Sequence, residues 1–217
     1  MSNARWRRPG LWAAVVFTGA YLLAAAIAAW ASGNTEFVFY LVVMVILVGI
    51  IGVVHARIDV PTGLVWALAA WGALHMAGGL VPVPEHWPIG GDQAVLYSWW
   101  LIPHAGMHGA DSTGWLKYDQ IVHAYGFAVT AWLCWVGLRA MAGPALRPTF
   151  GAMLLIVAAS CGFGAMNEIV EFVATMISPS TNVGGYENTG WDLVFNLAGA
   201  VIAAIVIRLG SRPASNA

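Results

Sequence analysis

Long apolar runs alternate with short polar breaks along the chain. Six runs, 11–32, 37–56, 62–81, 119–141, 149–177 and 191–209, match the roughly 20 apolar residues that a membrane-spanning helix needs. Turn-forming residues separate them: Ser32-Gly33-Asn34, Val60-Pro61-Thr62, Ala142-Gly143-Pro144 and Ser178-Pro179-Ser180. The pattern predicts an all-α fold, a polytopic bundle of six transmembrane helices forming one integral membrane domain over residues 1–217. One break, 82–118, is far longer than the others. It carries Pro82, Pro84, Pro88 and Pro103 with Trp87, Trp99, Trp100 and Trp115, and its stretch 94–102 is apolar. Loops this long are functional or disordered. The apolar and aromatic content argues for order, so this segment is expected to cap one end of the bundle, as an interfacial anchor or as a lid over a site.

Composition sharpens this picture. Charged residues make up 9% of the chain and hydrophobic ones 60%, with a mean hydropathy of +0.75. A soluble domain carries about 25% charged residues, so a water-soluble monomer is excluded. Disorder is excluded by the same numbers, because it requires low hydrophobicity and high charge. A net charge of −1 provides no basic face, so nucleic acid is not a partner; membrane lipids are. Cys134 and Cys161 both sit in apolar runs and form neither a disulfide framework nor a metal-binding spacing.

The basic residues set an orientation. Arg5, Arg7 and Arg8 precede the first span, Arg57 lies between the second and third, Arg139 and Arg147 flank the turn between the fourth and fifth, and Arg208 and Arg212 follow the sixth. Placing the N-terminus inside puts all eight arginines in the cytoplasm and only Lys117 outside, as the positive-inside rule requires. This predicts a bacterial-type inner (plasma) membrane protein with both termini cytoplasmic and the long loop outside. Glu36, Glu85, Asp92, Asp111 and Glu187 then fall in outer loops. The arginines before the first span resemble a signal-peptide n-region, and Ala29-Trp30-Ala31 loosely resembles a cleavage site. The apolar run is longer than a usual h-region, which favours an uncleaved anchor.

Ionisable groups inside spanning helices are costly and are functional candidates for that reason. Here they come in pairs. Asp119 and His123 are four apart, Glu168 and Glu171 three apart, and Asp192 and Asn196 four apart, spacings that put both members on one helix face. His75 stands alone on the third span. At 1.5 Å per residue, His123 and Asn196 lie about 6 Å inside the outer ends of their spans, and His75 and Glu171 lie roughly 9 Å inside theirs. All seven groups therefore fall in one outer layer. Two carboxylates about 5 Å apart repel by about 3 kcal/mol at an effective dielectric of 20, and no lysine or arginine lies in the layer. Shared protons or a divalent metal ion would relieve the repulsion. Imidazole and carboxylate ligands suit zinc, iron or manganese. The candidate metal ligands are His75, Asp119, His123, Glu168, Glu171 and Asp192, with Asn196 and Asn167 behind them and Glu171 and Asp192 as candidate catalytic groups.

Each residue also has a plainer reading. His75 alone is a satisfied core histidine, Asp119 and Asp192 are helix N-caps, and Asn196 is an interhelical hydrogen bond. Glu168 with Glu171 resists such a reading, since two acids one turn apart at membrane depth serve no structural purpose alone. His104 and His108 could chelate only on a helix, which Gly106 disfavours, so they and His86 read as loop residues. His55 lies beside Arg57, far from the cluster. The segment 182–188, with Gly184-Gly185, reads as a tight loop over the site. Gly49, Gly52, Gly162, Gly164 and Gly199 read as close helix packing.

Tyr118-Asp119-Gln120-Ile121-Val122-His123-Ala124-Tyr125-Gly126 resembles the Asp-x-x-x-His helix entry of the YjdF-like inner-membrane family and, more loosely, of VanZ-like proteins. Asn167-Glu168-Ile169-Val170-Glu171 is similar to the next motif, Glu-x-x-Glu in the first family and Glu-x-x-Gln in the second. The segment from Thr189 through Asp192 and Asn196 to Gly199 resembles their closing Asp-x-x-x-Asn/Asp-x-x-Gly, and His75 with Gly78 and Gly79 resembles a His-x-x-Gly-Gly element. The chain departs at Asn196, where YjdF-like members often have Asp, and at Glu171, where VanZ-like members have Gln. The resemblance implies an inner-membrane protein; VanZ-like proteins are linked to glycopeptide resistance.

Three functions fit the polar layer. The first is a metal-dependent hydrolase or group transferase acting on a lipid or polyprenyl-linked substrate at the outer interface. The second is a non-catalytic scaffold or assembly subunit with a structural cation site. The third is a cation- or proton-coupled transporter, disfavoured because the inner halves of the last three spans carry no acid.

Overall fold

A computed structural model describes Trp6, residues 8–91 and residues 93–211. Among the described residues, six helices make up the bundle: α1 (Pro9–Ser32), α2 (Thr35–Ile58), α3 (Thr62–Leu80), α4 (Tyr118–Ala142), α5 (Phe150–Ile177) and α6 (Tyr186–Gly210). All six are long and apolar enough to cross a membrane. Their outer faces carry Leu23, Ile27, Val42, Ile46, Leu155, Phe172, Ile202 and Val206, all exposed. Water would not tolerate so continuous an apolar surface on a monomer; hydrocarbon would. Arg5, Arg7, Asp92 and Arg212, used above for orientation and loop charge, lie outside the described residues.

Local chemistry accounts for the helix ends. Asn34 caps α2 by accepting from Phe37 N at 3.0 Å. The cap starts α2 before the expected position and draws Glu36 into its first turn, where it is buried at 3% exposure rather than in a loop. Thr149 caps α5 by accepting from Ala152 N at 3.2 Å. The α6 helix begins at Tyr186, five residues before the apolar run that predicted it. Its extra turn, Tyr186 to Gly190, is polar and invisible to hydropathy.

The segment between α3 and α4 is folded. A short 3-10 turn, Leu96–Ser98, leads into β1 (Trp100–Pro103), which pairs antiparallel with β2 (Gly114–Lys117). The turn packs on α3 and α4. Gly78 makes this possible, because a Cβ there would strike the Tyr97 ring; at Gly79 a Cβ would strike the Phe37 ring. One core cluster lies under this cap, with Phe37, Tyr40, Met76, Tyr97 and Val122. Another fills the opposite half of the bundle with Trp135, Met153, Ile156 and Ala204. The α4–α6 pair forms the most extensive helix contact. It closes because Gly199 has no side chain to strike the Ala124 carbonyl, and Gly164 similarly leaves room for Asn196. Gly49, Gly52 and Gly162 do not pack as expected: nothing lies within 4 Å of a Cβ built on them. They sit on helix faces that the bundle leaves unpartnered.

Candidate metal centre

The cluster is assembled from α4, α5 and α6 at the capped end of the bundle, with α3 at its edge. His123 on α4 is its hub, buried at 6% exposure. Its Nε2 faces three carboxylates: Asp119 Oδ1 at 3.5 Å, Asp192 Oδ1 at 3.8 Å and Glu171 Oε1 at 3.9 Å. Its Nδ1 lies 3.0 Å from Asn196 Oδ1 and 3.9 Å from Glu168 Oε1. Asn196 Oδ1 is placed to accept from Nδ1, and Nε2 can then ligate a cation held among the three carboxylates. A proton on Nδ1 held by a partner behind the ring is the arrangement that a histidine metal ligand uses.

The spacing suits a cation. Donors around a tetrahedral ion with bonds of about 2.1 Å stand about 3.4 Å apart, close to the 3.5–3.9 Å separations at Nε2. Two donor groups could hold an ion, Asp119–His123–Asp192 and His123–Glu168–Glu171, sharing the imidazole. Among the described residues, Asp192 Oδ1 and both Glu168 oxygens find no hydrogen-bond partner and are buried. Leaving such atoms unpaired is expensive, and a cation would satisfy them.

His75 is not brought into either donor group. Its Nδ1 is hydrogen-bonded to the Tyr97 hydroxyl of the cap, so it ties the cap to the cluster's edge. Burial holds the Tyr97 hydroxyl pKa well above the usual tyrosine range, keeping it neutral. His75 lines two small cavities. One is also lined by Trp71, Val122, His123, Phe127 and Asn167. The other reaches Asp119 and Glu171 on one side and Glu36, Tyr40, Tyr97, Asn182 and Val183 on the other. Asn167 donates to Glu171 Oε1 at 2.7 Å and so orients that carboxylate. His104 pairs with Thr113 at 2.9 Å in the cap and, like His86 and His108, takes no part in the cluster.

Asn188 is a contributor that hydropathy concealed. Its Nδ2 donates to Asp192 Oδ2 at 2.7 Å, Asp119 Oδ2 at 3.3 Å and the Val183 carbonyl at 3.1 Å. Lys117 Nζ reaches its Oδ1 at 3.5 Å. One amide thus joins both aspartates to the loop above them. Asn188, Asp192 and Asn196 are each four apart on one face of α6, a signal present in the sequence but hidden by the late predicted start of that helix. Hydrogen bonds to charged groups contribute about 1.5–3 kcal/mol. Asn188→Ala is therefore expected to destabilise the protein by about 2 kcal/mol, measured by thermal melting in detergent. Asn188→Asp should be worse, since it removes the donor and adds a fifth acid to the cluster.

No curated protein and no solved structure matches the chain. Residues 11–212, nearly its whole length, match the family described as Predicted membrane protein (DUF2238), and the chain belongs to that family.

Proposed function

We propose that this membrane protein holds a divalent metal ion on His123 and the carboxylates of Asp119, Glu168, Glu171 and Asp192, for hydrolysis or group transfer on a lipid or polyprenyl-linked substrate. The carrying observation is the His123 Nε2 atom with three carboxylate oxygens within 3.9 Å, while Asn196 Oδ1 stands 3.0 Å from Nδ1 behind the ring. Five described arginines, Arg8, Arg57, Arg139, Arg147 and Arg208, lie at or near the helix ends opposite the cluster. That supports cytoplasmic termini and an extracytoplasmic site in a bacterial-type inner membrane. The order of the motifs keeps the YjdF-like reading as the family proposal, with the VanZ-like one more distant.

When bound, the ion would activate water or polarise a carbonyl or phosphoryl oxygen. The chain's own groups divide the remaining work. Asp192 is 1% exposed and lines neither cavity, which suits a ligand. Glu171 lines the outer cavity and is oriented at Oε1 by Asn167, which suits a ligand whose other oxygen takes a proton from a substrate or water there. Trp71, Val122 and Phe127 form an apolar wall beside His123.

Transport is disfavoured because Trp135, Met153, Ile156 and Ala204 seal the opposite half of the bundle. A structural cation site in a scaffold or assembly subunit is the second reading. It is favoured by the size of the outer cavity, about 20 Å³, enough for a water but not for a headgroup.

Elemental analysis of the purified protein tests the metal. One divalent ion per chain is expected, and a chelator should lower the melting temperature. A ligand at 100 times its Kd stabilises by about 2.7 kcal/mol, so the shift should be easily measured. Protein grown with ample metal yet purified free of it, with a melting temperature indifferent to chelator, would remove the metal reading. Turnover lost with the metal separates the enzyme from the scaffold.

A further inference from the structure

A centre this enclosed needs a way in for its ion. The cavity beside Trp71, Val122 and Phe127 offers a mostly apolar wall. The outer cavity is different: it joins two of the proposed ligands, Asp119 and Glu171, to the loop between α5 and α6 at Asn182 and Val183. At its far side stands Glu36, a fifth buried carboxylate, on α2 and outside the ligand set. Glu36 Oε2 accepts from Asn182 N at 3.0 Å. The Tyr40 hydroxyl, in a side chain 5% exposed, is buried beside Glu36 without a well-formed hydrogen bond. Both residues line the cavity.

Resting on the metal reading, we propose that this cavity is the cation entry port, with Glu36 and Tyr40 as its staging groups. Glu36 draws a divalent cation in from the loop side, and the two oxygen-bearing side chains replace part of its hydration before it passes to Asp119 and Glu171. An acid-lined cleft between low-dielectric walls raises the arrival rate of cations by about 10–10³-fold. The outer barrier is where two connections meet. Ser98 of the cap donates to Asn182 Oδ1 at 3.3 Å, and Gln93 reaches Ser180 at 3.3 Å. Beyond Val183 the chain turns through Gly184, at φ 76°, and exposed Gly185. Glu36 thus controls how fast the ion arrives, while the His123 cluster controls how tightly it is held.

The test is Co²⁺ loading of the metal-free, full-length protein in detergent, followed by stopped flow with a metallochromic dye, alongside equilibrium titration. Glu36→Gln should slow loading by about tenfold and leave the equilibrium Kd unchanged. Tyr40→Phe, which keeps the carboxylate, should slow it less. Trp71→Phe, in the other cavity, should leave the rate as it is. If Glu36→Gln does not fold, the Tyr40→Phe and Trp71→Phe rates decide alone. Wild-type loading rates in both port variants would overturn the port, as would slowing by Trp71→Phe alone. A Kd weakened in proportion to the rate would also overturn it, by making Glu36 a ligand. A wild-type protein that binds no Co²⁺ removes the metal centre and the port together. Normal binding with unslowed variants removes the port only.

Discussion

His123→Ala is expected to abolish stoichiometric metal binding and to leave a melting temperature that no longer responds to chelator. Among the described residues, His123 is the one nitrogen donor in the cluster and the member shared by both donor groups. Its imidazole is also where the acids converge, Glu168 nearest Nδ1 and Asp119, Glu171 and Asp192 nearest Nε2. Deleting it removes a ligand and opens a gap between four buried acids. Breaking a buried ionic arrangement by removing one partner costs about 3–5 kcal/mol, so the variant should also melt well below the metal-free wild type. Asn196→Ala provides the graded comparison. It leaves the ligand but frees the ring, and partners behind a metal ligand are worth about 10–100-fold in affinity. Elemental analysis with melting curves, with and without chelator, measures both variants. Full metal content in His123→Ala would show that the ion sits elsewhere.

How much of this site was legible in the sequence depends on which signal each residue carried. Asp119, His123, Glu168, Glu171, Asp192 and Asn196 announced themselves as polar residues at helical spacing inside apolar runs, and the fold brings their side chains together around one imidazole. Six spans were equally legible, because length and hydropathy decide a spanning helix. Asn188 was not, since it sits in a polar first turn of α6 that hydropathy reads as loop. Glu36 was missed for the same reason at α2, where the Asn34 cap extends the helix past its apolar run. Tyr97 gave no signal at all. It reaches His75 only because the cap folds back over Gly78, a tertiary event with no local periodicity. His75 shows the converse. It stands beside the cluster, lining both cavities, but its position on the third span could not foresee that the cap would occupy its Nδ1.

Gly199→Val is expected to injure the site from a residue that touches no ligand. A Cβ at Gly199 would overlap the Ala124 carbonyl, which is backbone and cannot swing aside. Valine therefore has to push α6 away from α4, the pair with the most extensive contact in the bundle. Overpacking of this kind costs about 1–3 kcal/mol, a fall in melting temperature of about 5 °C for a chain of this length. The larger consequence is local. Ala124 follows His123, and Gly199 lies three residues after Asn196, so the separation opens directly across the His123–Asn196 hydrogen bond of 3.0 Å and the His123–Asp192 approach of 3.8 Å. Both depend on the two helices staying this close. Metal affinity should fall by at least the 10–100-fold attached to the Asn196 contact, while Gly162→Val, on an unpartnered face of α5, should change neither property. Melting and Co²⁺ titration of the two variants measure this. A Gly199→Val protein with wild-type affinity would mean that the cluster adjusts to helix separation, and that the short α4–α6 approach serves packing alone.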